Sequence, residues 1–134
     1  MPWVGTSVLI VDDHEGFRTW ARVLLEQAGY TVLGEAADGA SALGAASQLR
    51  PEVVLLDVQL PDTDGFEVAR RLSRERWSPA VVLISTRDAS DYAERLERSP
   101  VLGFLPKEEL TAEALSRLVR AHGDDPGNER RAGG

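Results

Sequence analysis

The chain has 134 residues, 43% of them hydrophobic and 28% charged, which suits one compact domain with a sizeable core and excludes a disordered chain. The absence of Cys excludes disulfides and thiolate metal sites and fits a reducing compartment. A net charge of −7, from 22 acidic and 15 basic residues, argues against direct nucleic-acid binding over the surface.

In chain order, short and continuously apolar runs alternate with stretches of helical period. The opening Met1-Pro2-Trp3-Val4-Gly5 lacks the basic-then-apolar pattern of a signal peptide, and no apolar run approaches the roughly 18 residues of a membrane span. A soluble, cytoplasmic domain is the expectation. The first run, Val8-Leu9-Ile10-Val11, reads as a strand buried on both faces. Phe17, Trp20, Ala21, Leu24, Leu25 and Ala28 then mark an amphipathic helix that Gly29 stops, with Trp20 as a core residue. A weaker strand covers 30–33. Leu43, Ala46 and Leu49 mark a second helix, started by Asp38. Val53-Val54-Leu55-Leu56 is the next buried strand. Phe66, Ala69 and Leu72 follow as a helix behind Asp64-Gly65. After Trp77, read as a loop aromatic, Ala80–Ile84 forms a fourth strand, and Tyr92, Ala93 and Leu96 suggest a short helix. The run 101–105 supplies a fifth strand. Leu115, Leu118 and Val119 lie on one face of a last helix with Thr111 as its N-cap. Beyond Ala121 the composition turns polar, so residues 1–122 are expected to form the domain and 123–134 a disordered tail or the start of a linker.

Five strands alternating with five helices predict an α/β domain with a doubly wound parallel sheet in the order 2-1-3-4-5. All carboxyl ends of a parallel sheet point to one edge, where ligands bind. There the first strand ends in Asp12-Asp13, the third in Asp57 and the fourth in Ser85-Thr86, and the fifth leads to Lys107. Each residue alone reads as a cap, a turn former or a solvated charge. Their conjunction on one edge reads as a site.

Two unit charges about 4 Å apart repel by roughly 4 kcal/mol at an effective dielectric near 20. Three carboxylates in one crevice therefore call for a cation, and one ammonium does not balance them. Oxygen ligands without Cys point to Mg2+ or Mn2+, with waters completing the octahedron. His14, next to the acidic pair, reads as a solvated loop residue, and His122 as inert. Trp3, Trp20 and Trp77 show no stacking pattern for single-stranded nucleic acid.

With these residues in place, the sequence resembles the receiver domain of two-component response regulators, a flavodoxin-like (CheY-like) fold. The resemblance rests on Val11-Asp12-Asp13-His14, Leu55-Leu56-Asp57-Val58-Gln59-Leu60-Pro61, Asp64-Gly65, Val82-Leu83-Ile84-Ser85-Thr86 and Gly103-Phe104-Leu105-Pro106-Lys107, in order and without insertion from Ser7 to about Ala121. It implies that Asp57 accepts a phosphoryl group from a sensor histidine kinase or phosphotransfer protein. It further implies that Asp12, Asp13, Asp57 and the backbone carbonyl of Gln59 hold Mg2+, and that Lys107 neutralises charge. Ser85 and Phe104 would form the switch that reaches a downstream protein or output domain, and a phosphorylation-dependent homodimer is one form such switching takes. The Asp-Asp-His start and Phe-Leu-Pro-Lys ending also resemble receivers whose partner is a helix-turn-helix DNA-binding domain.

The departures from the pattern are Ser85 for the usual Thr, Thr86 where Ala or Gly is frequent, Phe104 for Tyr, and Glu108 for Pro after Lys107. They bear on rates and switch amplitude and remove no group that phosphoryl transfer needs. A receiver catalyses its own phosphorylation and is not a turnover enzyme. Of two rivals, the first loses and only the second stays open. An aspartate-nucleophile phosphatase would want a second Asp where Gln59 stands. A receiver-fold module that binds protein without phosphate would not need the full acidic set.

Overall fold

The computed structural model describes residues 5–123, the side chains of 121–123 excepted. The elements alternate as β1 (Ser7–Val11), α1 (Glu15–Gln27), β2 (Thr31–Ala36), α2 (Gly39–Leu49), β3 (Val53–Asp57), α3 (Gly65–Leu72), β4 (Ala80–Ser85), α4 (Ala93–Glu97), β5 (Gly103–Pro106) and α5 (Ala112–Gly123). The five strands form one sheet in the order β2-β1-β3-β4-β5, parallel throughout. This is the predicted doubly wound sheet.

Alternation along the strands splits the core into two layers. Val8 and Ile10 face Ala21 and Leu25 of α1 and Leu115 of α5, joined by Val53, Leu55, Val82 and Ile84. Leu9 and Val11 face the other way, with Val54, Leu56 and Leu83, onto Ala42 and Ala46 of α2 and Phe66, Ala69 and Leu72 of α3. The β1, β3 and β4 residues in these layers are at most 2% exposed, so they read as unbroken apolar runs.

The helix ends follow local chemistry. Asp38 and Asp64 cap α2 and α3 by accepting from Ser41 N (2.7 Å) and Glu67 N (2.9 Å). Thr111 Oγ1 accepts from Ala114 N at 2.9 Å. Gly29, at φ +99°, closes α1 with paired bonds from Gly29 N to Glu26 O and from Tyr30 N to Leu25 O, a left-handed stop that glycine takes without strain.

Several expectations change. Strand β2 runs on through Gly34, Glu35 and Ala36, because it pairs with β1 to Val11↔Ala36. Its second half is polar and so invisible to an apolar scan. Strand β5 begins at Gly103, and all four of its residues are only half-buried, as an edge strand allows. The fourth helix is preceded by a 3-10 turn, Ala89–Tyr92, so Tyr92 stands at the junction. Trp20 is 48% exposed and is not a core residue. Ala21 takes the centre of the interface, and each step along a helix turns about 100° away from it. Trp77 does lie in a loop, half-buried against the α2/α3 layer. Helix α5 continues two residues past Ala121. Trp3, the side chain of His122 and the tail from 124 onward lie outside the described residues. Among the described residues, no helix is long and apolar enough to cross a membrane.

Candidate functional site at the carboxyl edge of the sheet

The strand ends deliver the predicted residues to one place. Asp12 follows β1, is fully buried, and extends the pairing with β2 through its N–H to Ala36 O at 3.0 Å. Asp57 ends β3 and is 4% exposed. The Lys107 ammonium, just past β5, stands 2.5 Å from Asp12 Oδ2 and 3.2 Å from Asp57 Oδ2. Asp57 Oδ1 accepts from Gln59 N at 3.1 Å. Behind Asp57, Gly65 passes so close that a Cβ there would lie 2.5 Å from the Asp57 carbonyl oxygen.

The charge balance is uneven. Burial first, and then the Asp12 charge, push the Asp57 carboxyl above its ordinary value, against the Gln59 N–H and Lys107. Burial works against the Lys107 ammonium, yet Asp12 and Asp57 outweigh it and hold its pKa above the usual lysine value. Asp12 Oδ2, despite its ionic contact with Lys107, accepts no hydrogen bond of normal geometry.

A buried oxygen in that condition, an Asp57 disfavoured as an anion and a third carboxylate at Asp13 together fit a divalent cation. Asp12, Asp13, His14 and Asp57 each offer a ligand atom, all within 4.8 Å of one another, and could hold a metal ion. The oxygen-rich donor set suits a hard ion.

Ser85 ends β4 beside this pocket, 1% exposed. Its hydroxyl accepts from Arg87 N at 3.0 Å and lies 3.4 Å from the Tyr92 hydroxyl. Thr86 is exposed. Phe104 packs in β5, half-buried, with its ring 5.9 Å from that of Tyr92. Tyr92 in turn stands 5.7 Å from Phe66.

Five participants were not evident from the sequence. Tyr92 links Ser85 to Phe104; a phenol in an otherwise apolar helical face was the available signal. Phe17, read as a core position, lies under the Lys107 ammonium at 4.7 Å. Arg18 donates to the Asp12 carbonyl at 2.6 Å and, with Arg22, grips Glu35 at 3.1 and 2.7 Å. Those bonds, the one from Arg22 foremost, hold the Glu35 carboxyl below the usual carboxylate range against its partial burial. Nothing in residue spacing reveals that clamp, because it depends on the polar end of β2. His14 is exposed, as expected, but its ring also touches both Asp12 and Asp13.

Comparison with known proteins agrees with this geometry. The response regulator receiver domain family matches residues 8–120. The response regulator GacA of Pseudomonas aeruginosa is 36% identical over 116 residues, covering 86% of this chain and 52% of that protein. A protein-glutamate methylesterase/protein-glutamine glutaminase of Halobacterium salinarum is 35% identical over 101 residues, covering 74% of this chain and 29% of that protein. The chain thus spans about half the length of GacA and less of the methylesterase. Among solved structures, the signal receiver domain of a modulated diguanylate cyclase from Desulfovibrio desulfuricans superposes with a TM-score of 0.75 at 32% identity, covering 86% of this chain and 90% of that one. A CheY-like receiver domain from Methanospirillum hungatei gives 0.79 at 20% identity over 93% and 98%, a likeness of fold alone. This chain belongs to the response regulator receiver domain family.

Proposed function

We propose that Asp57 is a phosphoacceptor, charged by the phosphohistidine of a sensor histidine kinase or phosphotransfer protein in a Mg2+-dependent reaction. The observation that carries this reading is the single Lys107 ammonium shared between Asp12 and Asp57 inside an acidic cluster able to hold a metal. Asp12, Asp13, Asp57 and the Gln59 carbonyl would hold the ion, Mg2+ or in its place Mn2+. When bound, the ion supplies charge neutralisation at the phosphoryl oxygens.

The chain's own residues do the rest. An Asp57 carboxylate oxygen attacks phosphorus, the O–P bond forms as the N–P bond breaks, and the donor imidazole leaves with the electron pair. The Gln59 N–H, bonded to Asp57 Oδ1, orients the carboxylate so that its other oxygen faces Lys107. Lys107 then pairs with the negative charge brought in by the phosphoryl group. The product is an acyl phosphate on the protein, so the chain catalyses its own modification and turns over no separate substrate.

Ser85 and Phe104 form the switch in this reading. In the resting arrangement the Ser85 hydroxyl is engaged by Arg87 N and lies near Tyr92. Donating to a phosphate oxygen draws it away and frees the Tyr92–Phe104 ring contact to rearrange. A few kcal/mol of differential contact suffices for a population shift. The output is a partner protein, or a further domain of the same polypeptide, since the chain covers only 52% of a relative such as GacA. Residues 123–134 then serve as a tail or linker, and the site of action is the cytoplasm.

The test is intact-protein mass spectrometry after incubation with Mg2+ and acetyl phosphate or phosphoramidate, beside Asp57→Asn. One phosphoryl adduct, abolished by EDTA and absent from the variant, is expected. If several donors give no adduct and Mg2+ with beryllofluoride does not bind, the reading fails and a phosphate-independent binding module replaces it.

A further inference from the structure

The acidic pocket contains one potential nitrogen ligand. His14 Nδ1 lies 3.1 Å from Asp12 Oδ1 and 3.1 Å from Asp13 Oδ1, and these three residues belong to the group that also includes Asp57. The ring is not placed there by helix capping. His14 is the N-cap residue of α1, yet its side chain makes no cap hydrogen bond. The loop is fixed through the backbone, with His14 N donating to Asp12 Oδ1 at 2.8 Å, and the ring Nδ1 stands at hydrogen-bond distance from the same oxygen. The side chain itself is 70% exposed, so an ion carrying water can reach it.

The spacing suits shared coordination. Two ligands about 2.1 Å from one ion lie roughly 3.0 Å apart at right angles and roughly 3.4 Å apart at the tetrahedral angle. The observed 3.1 Å falls within that window. Imidazole is a poor partner for Mg2+ but a favoured one for zinc-class ions.

We infer that His14, together with Asp12 and Asp13, makes this pocket a site for Zn2+ and similar late first-row divalent ions, which compete with Mg2+ for the same carboxylates. This rests on the reading of the pocket as a divalent-ion site and adds a ligand to it. Mg2+ is held by the oxygens alone and does not depend on the ring. Zn2+ uses the ring, and its presence keeps Mg2+ out.

Calorimetric titration of the full chain with ZnCl2 and with MgCl2 tests this, using wild type, His14→Ala, and His122→Ala to control for the only other histidine. His14→Ala removes no cap bond and keeps the backbone donor; His14→Gln serves as a second variant. The expected result is Zn2+ binding weakened about tenfold or more by either His14 substitution, with Mg2+ binding changed less than about twofold and His122→Ala silent. Histidine-selective NMR of the wild type should show the His14 Nδ1 resonance displaced by Zn2+ and not by Mg2+. Zn2+ affinity unchanged without His14, or equal losses for both ions, overturns the inference while leaving the divalent-ion site standing. Mg2+ binding without any Zn2+ binding does the same. Failure of wild type to bind either ion overturns both.

Discussion

Replacing Lys107 by Met removes the ammonium while keeping an unbranched apolar stem, and so isolates the electrostatics of the site. In the wild type, Nζ lies 2.5 Å from Asp12 Oδ2 and 3.2 Å from Asp57 Oδ2. Without it, two largely buried carboxylates remain with ligand oxygens no more than 4.8 Å apart. At an effective dielectric of about 20, that pair repels by about 3.5 kcal/mol. Uptake of a proton by the pair relieves part of this, so the expected loss in Mg2+-free buffer near neutral pH is roughly 2–4 kcal/mol, in line with other broken buried pairs. Urea unfolding with EDTA measures it. Magnesium should reverse most of the loss, because the incoming cation no longer meets a resident one. We expect Lys107→Met to bind Mg2+ about tenfold more tightly, a difference of roughly 1.4 kcal/mol, and to gain more stability from it than wild type does. A variant as stable as wild type without Mg2+, or one that binds Mg2+ more weakly, would refute the argument.

Three further outcomes follow from individual contacts. Burial and the Asp12 charge raise the Asp57 pKa in the folded protein, so its ionised form costs stability. That cost is absent below the unfolded value near 3.8 and complete above the folded value. Asp57→Asn should therefore stabilise the metal-free protein near neutral pH by on the order of 1 kcal/mol, with the gain vanishing as pH falls towards the unfolded value; thermal unfolding across pH reads this out. Glu35 has the opposite sign, its pKa lowered chiefly by Arg22. Glu35→Gln should cost about 1 kcal/mol at neutral pH, a penalty lost as pH drops through the depressed pKa, and should also weaken Mg2+ binding by freeing Arg18 from its hold on the Asp12 carbonyl. Gly65→Ala pushes a methyl against the Asp57 carbonyl and should cost about 1–3 kcal/mol, with reduced Mg2+ affinity in calorimetry.

The strand ends were legible because a parallel sheet converts a one-dimensional pattern into a shared edge. Four apolar runs, each leading into Asp12-Asp13, Asp57, Ser85 or Lys107, required no tertiary knowledge beyond strand order. Buried strands with unbroken apolar composition, β1, β3 and β4, were read almost to the residue. Elements whose stability comes from pairing were read less well. The polar half of β2 is held by its ladder with β1, and half-buried β5 is shorter than its apolar run. Helical period identified the sheet-facing stripe of α1 but not how wide it is, so Trp20 was placed inside while it stands at the margin against Phe17. The supporting residues were hidden for a similar reason. Arg18 and Tyr92 act on Asp12 and Ser85 only six and seven residues away, and Phe17 on Lys107 from across the fold, through a guanidinium, a phenol and a ring face whose roles depend on direction rather than spacing.

The central claim is chemical, that Asp57 is the residue that carries the phosphoryl group. The most direct measurement is to treat the Mg2+- and phosphodonor-exposed protein with borohydride, which reduces an acyl phosphate of aspartate to homoserine, and to sequence the peptides by tandem mass spectrometry. Homoserine at position 57 alone, absent without donor and absent with EDTA, is the predicted result. Homoserine at position 12 or 13, or phosphate retained on a serine or histidine instead, would contradict the account.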